Sequence, residues 1–165
     1  MATRSNAREE SINRDSQAYW NKRAPTFTRN ATSDYERWLL DLLALEAGEE
    51  ILDMAGGTGD IAALLKDRVG EAGSIVLGDI NGEMLRVGRD RMTDRGRVRG
   101  FEYVQCNAEA LPFPDASFDL VTIAFGLRNV TDKAAALREM LRVLKVGGQA
   151  RVLEFSEVKA DWFKP

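Results

Sequence analysis

From residue 51 onward the chain alternates between two apolar periodicities, and this alternation constrains its fold more than any other feature. Ile51–Ala55, Ser74–Ile80, Phe101–Cys106, Phe118–Phe125 and Gln149–Phe155 are short apolar runs of strand length. Between them, Ile61–Val69, Asn81 to about Arg91, and Ala134–Val146 carry apolar residues at helical spacing. Gly70 closes the first of these helices and Gly147-Gly148 the last. Strands alternating with helices of roughly 10–15 residues define βαβ units, hence an α/β fold with a mostly parallel sheet and helices on both faces. Upstream, Tyr35, Trp38, Leu39, Leu42 and Leu43 recur at helical spacing over 33–46, with Ser33 as cap and Gly48 as stop. Residues 1 to about 30 are polar, with an amphipathic helix expected around Ile12, Tyr19 and Trp20. Residues 1–46 therefore read as an N-terminal helical lid or substrate segment, and 47–165 as the core.

The bulk numbers mainly exclude. At 165 residues the chain has the length of one domain. A net charge of −3 offers no global attraction for nucleic acid. The single cysteine, Cys106, permits no intramolecular disulfide; it reads as a core thiol in a cytosol-like compartment. No apolar run approaches the roughly 20 residues that span a bilayer, and the N-terminus lacks the apolar stretch of a secretory signal. There is no histidine. That removes the commonest general base and metal ligand, so neither a Ser-His-Asp triad nor a His-containing zinc site can form, and no metal is expected.

Residues 51–62, ILDMAGGTGDIA, run strand, glycine turn, helix. Such a turn brings a ligand close to backbone N–H groups at a helix start. Gly57-Thr58-Gly59-Asp60-Ile61-Ala62 fits the dinucleotide pattern G-x-G-x-x-G/A, and Asp79 follows about 20 residues on, where a ribose-binding acid belongs. Gly56, Gly57, Thr58, Gly59 and Asp79 are thus candidate cofactor contacts. The pattern and the acid suit a nicotinamide dinucleotide and S-adenosylmethionine alike. Asp53 and Asp60, flanking the glycines, favour the second: carboxylates repel a pyrophosphate and attract an ammonium and a sulfonium. The Walker A pattern is absent, since no Gly-Lys-Ser/Thr follows. A strand-helix turn without a ligand remains the plain structural alternative.

Two strand ends supply further candidates. After the third strand, Asn107 is placed to meet an adenine edge with the Ala108 N–H beside it; an ordinary Asn-capped turn is the alternative. After the fourth, the run AFGLRNVTD (124–132) sets Arg128 and Asn129 where ligands bind in open α/β sheets. The competing reading of Arg128 is a surface ion pair with Asp132 or Asp119. The arginines between 86 and 99 form a basic cluster tempered by Asp90 and Asp94. It reads as a solvated helix end, with anionic lipid head groups as the alternative partner.

Together DMAGGTGDIA (53–62), GDINGEMLRVGRDR (78–91), NAEALPFPDASFDLVTIAFGLRNVTD (107–132), ALREMLRVLKVGG (136–148) and LEFS (153–156) resemble the ubiquinone/menaquinone biosynthesis C-methyltransferases, a family of class I S-adenosylmethionine-dependent methyltransferases. The resemblance covers about two-thirds of the chain, and AFGLRNVTD is its most family-specific segment. It implies a Rossmann-like sheet of seven strands in the order 3-2-1-4-5-7-6, of which five are counted here. The chain stops soon after the fifth strand, so the core is expected to be incomplete at its C-terminus. The resemblance further implies S-adenosylmethionine as methyl donor, with Thr58 in the loop, Asp79 on the ribose hydroxyls and Asn107 with Ala108 near adenine. It implies a prenylated quinol as acceptor, with Arg128 and Asn129 aiding loss of a ring-hydroxyl proton. Two positions depart from the family: Ala124 replaces a common serine, and Phe27 stands where a tyrosine is usual.

The expected function is C-methylation of a polyprenylated quinol, in the cytoplasm or peripherally at the inner membrane. A methyltransferase with another small acceptor is the first alternative. A non-catalytic S-adenosylmethionine-binding module is the second, and a nicotinamide oxidoreductase is the least favoured. A homo-oligomer or a strand-donating partner would cover the open sheet edge.

Overall fold

A computed structural model describes residues 44–154, together with Ala18, Asn21 and Lys22, which are helical. Tyr19, Trp20, Phe27, residues 33–43, Trp162 and Phe163 lie outside the described residues, and with them most of the 1–46 segment. Of the helix expected over 33–46, residues 44–46 are described and are not helical; Ala44 has a φ of 47°.

Over residues 44–154, strands and helices alternate except between β3 and β4, which a long loop joins: β1 (Glu50–Met54), α1 (Asp60–Val69), β2 (Ser74–Asp79), α2 (Gly82–Asp94), β3 (Phe101–Gln105), β4 (Phe118–Ala124), α3 (Lys133–Val143) and β5 (Leu144–Leu153). A single 3₁₀ turn, Leu127–Asn129, lies between β4 and α3. The sheet order is β3-β2-β1-β4-β5, and every neighbouring pair is parallel. The order reverses between β1 and β4, which makes their carboxyl ends the switch point of the sheet.

The pleat sorts the side chains into two cores. Ile51, Ile75, Leu77 and Leu120 pack on one face with Ala62, Leu65 and Val69 of α1 and Leu85 of α2. Leu52, Met54, Val76, Val121 and Ile123 pack on the other with Met140 and Val143 of α3. Burial on both faces is why these strands read as continuous apolar runs rather than alternating ones.

Local chemistry sets the ends of α2. Asn81 caps it, its side-chain oxygen accepting from the Glu83 and Met84 N–H groups at 3.0 Å each. The helix runs to Asp94, three residues past the expected end. The basic stretch is laced with acids: Arg86 bonds Glu83 and Asp90, and Arg97 bonds Asp67.

The end of α3 differs from the sequence expectation. The helix stops at Val143 rather than Val146, and β5 begins at once with Leu144 beside Phe118. The carbonyls of Arg142 and Val143 accept from the N–H groups of Ala116 and Ser117 at 3.0 and 2.7 Å, so a distant loop ends the helix. Gly147-Gly148 forms a bulge within β5: the β4–β5 register shifts between Phe118 and Leu120, and Gly147 has a φ of 88°. Among the described residues no helix is long and apolar enough to cross a membrane.

Candidate active site

A cleft of about 320 Å³ opens over the carboxyl ends of the strands. Its walls come from the loops after β1, β2, β3 and β4. Two of these loops start with residues in the left-handed region, Ala55 at φ 54° and Phe125 at φ 56°. Both are non-glycine residues at the switch point, where strained backbone recurs at functional sites. The two loops press together: a Cβ added to Gly126 would lie 2.3 Å from that of Ala55.

The glycine loop is a tight turn held from below. The Gly59 N–H donates to the Gly56 carbonyl at 2.9 Å, and the Gly59 carbonyl accepts from Ala63 at 2.9 Å to start α1. Gly59 caps the helix at a φ of 80°, a conformation that disfavours a side chain. The Thr58 hydroxyl donates to Asp60 within the buried turn, at 3.0 Å. Asp53 lies beneath Gly56: it is 1% exposed, and its Oδ1 accepts from the Thr122 hydroxyl at 2.8 Å. A Cβ on Gly56 would meet the Asp53 carbonyl and carboxylate at 3.0 and 3.1 Å. Gly88, in the middle of α2, lets that helix close on the loop, since a Cβ there would sit 3.1 Å from the Gly57 carbonyl oxygen.

Asp79 ties the loop to β2. One carboxylate oxygen accepts from the Gly57 N–H at 3.0 Å, the other from the Asn81 N–H at 2.8 Å. Burial raises its pKa, and the hydrogen bonds from Asn81, Gly57 and Ile80 act against that rise. Cys106, 8% exposed, lies at the base of the cleft, its thiol pushed up to about 11 by burial and by Asp79.

The loop after β3 carries Asn107 and Ala108. The Asn107 side-chain oxygen accepts from the Glu109 N–H at 3.0 Å, so the turn chemistry expected of this asparagine is present alongside its place on the wall. Its distal end is fastened to α3. Leu111 donates to Glu139 at 2.8 Å, and Arg142 reaches the carbonyls of Leu111 and Phe113 at 3.0 and 2.8 Å. Arg142 holds the Glu139 carboxyl down to about 2.

Arg128 and Asn129 stand on the 3₁₀ turn after β4, exposed and on the wall. The partner of Arg128 differs from both carboxylates considered in the sequence. Its guanidinium pairs with Glu154, just past β5, and its backbone N–H donates to the same carboxylate at 3.1 Å. Asp132 instead caps α3 by accepting from Ala135, and Asp119 accepts from Lys145. The Arg128 guanidinium also lies 5.9 Å from the centre of the Phe125 ring.

Of the residues singled out from the sequence, Gly56, Gly57, Thr58, Asp79, Asn107, Ala108, Arg128 and Asn129 line this one cleft. Asp53 and Gly59 lie outside the lining and support the loop. Three residues of consequence were not singled out: Gly88, Glu109 and Glu154. A glycine inside a helical pattern is a signal that could have found Gly88; nothing local marks the two glutamates.

Chemically, the cleft is acidic at one end, where Asp60 and Asp79 line it, and cationic at the other, at Arg128. Acid around the glycine turn disfavours a pyrophosphate and suits a ligand that is cationic there.

The fold and this cleft define a Rossmann-like α/β domain of the class I methyltransferase type. A SAM-dependent methyltransferase from Aquifex aeolicus superposes with a TM-score of 0.75 at 21% identity, over 88% of this chain and 78% of that one. The YcgJ protein of Bacillus subtilis does so at 0.67 and 28% identity, over 72% and 49%. The chain belongs to the ubiE/COQ5 methyltransferase family, matched over residues 31–165. It is 73% identical to the ubiquinone/menaquinone biosynthesis C-methyltransferase UbiE of Xanthomonas campestris, over 79% of this chain and 52% of that protein. Against the protein of that name in Stenotrophomonas maltophilia strain R551-3 it is 74% identical over the same shares. The chain thus spans about half the length of the curated relatives it matches.

Proposed function

We propose that this chain is the S-adenosylmethionine-binding core of a C-methyltransferase acting on a ring carbon of a prenylated benzoquinol or naphthoquinol. The observation that carries the reading is the meeting of Asp79 and the glycine loop with Arg128 and Asn129 on a single cleft at the sheet's switch point. Family membership and the names of the close relatives support it.

In this reading the glycine loop and Asp79 hold the donor, with Asp79 toward the ribose diol and Asn107 with Ala108 toward the base. Asp53 contributes from beneath the loop, favouring a cationic ligand. When bound, S-adenosylmethionine supplies an electrophilic methyl group. The chain's own residues must then make the acceptor nucleophilic. A neutral aromatic carbon is a poor nucleophile, and loss of a ring-hydroxyl proton enriches it. Arginine stays protonated and is a poor base, but its charge lowers a neighbouring phenol's pKa and stabilises the phenolate. Arg128 takes that role, with Asn129 as a polar neighbour for the ring oxygen; a water ordered beside the guanidinium accepts the hydroxyl proton, and once the methyl has passed from the sulfonium to the ring carbon, loss of that carbon's own proton to water restores the aromatic ring. Glu154 holds the guanidinium in place from the end of β5. Residues 1–46 form the substrate-side lid and 47–165 the donor-binding core. In this reading the chain works in the cytoplasm, meeting a prenylated acceptor peripherally at the inner membrane.

Calorimetry with S-adenosylhomocysteine and with NAD tests the donor class; the first is expected to bind and the second not. Methyl transfer to demethylmenaquinol tests the reaction. Arg128→Ala is expected to leave S-adenosylhomocysteine affinity nearly intact and to lower turnover by roughly 10²–10³-fold, the scale of removing one transition-state donor. Unchanged turnover in an otherwise active chain would remove Arg128 from this role.

A further inference from the structure

Between the donor side and the acceptor side of the cleft stands one carboxylate that neither role uses. Glu109 lies two residues beyond Asn107 and is itself part of the wall, half-buried. A single oxygen, Oε1, accepts from the backbone N–H of Thr131 and from that of Asp132, each at 3.0 Å. Both amides precede the first turn of α3, where the backbone carries partial positive charge and a carboxylate is favoured. The Glu109 N–H in turn donates to the Asn107 side chain at 3.0 Å. An unbroken path of hydrogen bonds therefore runs from Asn107 through Glu109 to Thr131 and Asp132. Arg128 and Asn129 lie on the 3₁₀ turn immediately before that segment.

We propose that Glu109 is a positioning residue that locks the acceptor-side loop to the donor-side loop, so that a ligand held at Asn107 and Ala108 also sets the place of Arg128 and Asn129. The inference rests on the methyltransferase reading of the cleft for what the two loops bind. The clamp itself rests on the two hydrogen bonds alone. The same loop is fastened further along by Glu139 and Arg142, but both of those attach to the body of α3. Glu109 alone among these groups reaches the segment that leads back to Arg128. The geometry requires an acceptor at the end of a two-carbon stem. Glutamine retains that acceptor without the charge, and alanine lacks it.

The test is amide hydrogen exchange on the 165-residue chain, with Glu109→Ala and Glu109→Gln. Without ligand, Glu109→Ala is expected to speed exchange at Thr131 and Asp132 by roughly tenfold, the scale of one net hydrogen bond. The amides of β1 should be unchanged, and Glu109→Gln should stay close to wild type. With S-adenosylhomocysteine, the wild-type Thr131 and Asp132 amides should slow further. In Glu109→Ala the ligand should leave those amides unaffected and bind more weakly, by about the factor by which it slows them in the wild type. Turnover with demethylmenaquinol should fall roughly a hundredfold, as for a misplaced reacting group, and Glu109→Gln should largely restore it. Unaltered ligand-free exchange in Glu109→Ala overturns the clamp. Ligand that binds the wild type without slowing the two amides overturns the coupling. A wild-type chain that binds no S-adenosylhomocysteine overturns the methyltransferase reading and the coupling with it, while the ligand-free exchange still decides the clamp.

Discussion

Asp79 does two jobs that pull its chemistry in different directions. Its oxygens hold the Gly57 and Asn81 amides, yet burial raises its pKa from the ordinary 3.8. A carboxyl whose pKa is raised in the fold stabilises the fold fully below its unfolded value, and that stability is lost as pH rises through the folded value. The wild-type chain should therefore lose part of its stability as pH climbs from about 4, and Asp79→Asn should lack that slope. Denaturant midpoints of both proteins between pH 4 and 8 measure this; parallel profiles would show that Asp79 is not the source. The variant should also bind S-adenosylhomocysteine more weakly, because an amide leaves an N–H₂ facing one of the two backbone donors. Arg128 shows the same economy of groups. Its pairing with Glu154 is a surface contact of modest worth to stability, so its removal should register in turnover far more than in folding.

At the scale of elements, the site is made by loops that pack on one another. Ala55 and Phe125 turn the ends of β1 and β4 in the left-handed region, and Gly126 fits against Ala55. Gly126→Ala should destabilise the chain by about 1–3 kcal/mol, the cost of overpacking. It should also weaken S-adenosylhomocysteine binding, since the displaced Ala55 begins the glycine loop. A shift in denaturant midpoint at constant slope is the expected signature; a midpoint equal to wild type would mean that the two loops part freely. The boundary of α3 also belongs to this scale. Helical periodicity continues through Leu144, and the glycine pair beyond it looks like a stop. The helix nevertheless ends at Val143, because residues 116–117 satisfy its last carbonyls and the β4 pairing claims Leu144. Local pattern located the helix; contacts 26 residues back along the chain, Ala116 to Arg142 and Ser117 to Val143, set its end.

For the whole molecule, ligand binding and stability are linked. A ligand that binds only the folded chain stabilises it by about 2.7 kcal/mol at a hundred times its dissociation constant. For a chain of this length that is a rise of roughly 5–10 °C in melting temperature. S-adenosylhomocysteine should produce such a rise and NAD none, read by thermal melts at matched concentrations; equal shifts would return the two cofactor classes to parity. The order of the sheet was implied by the family resemblance; the alternation of strands and helices, the two covered faces, the glycine turn and the arginine-asparagine pair at a strand end were legible in the residues themselves. Each depends on residues consecutive in the chain: periods of two or near four, a glycine that tolerates positive φ, an acid at the end of a strand. The partners of those residues were not legible in the same way. Glu154 meets Arg128 because β5 lies beside β4, and Glu109 meets Thr131 because the loops after β3 and β4 converge at the cleft. Periodicity tells which face of an element a residue occupies, whereas the identity of what stands opposite is fixed only when strands far apart in sequence become neighbours in the sheet. The sequence by itself therefore determined the fold class and which strand ends line the cleft. Only the tertiary structure decided which carboxylates hold those ends in register, because that choice lies in long-range packing that no local pattern encodes.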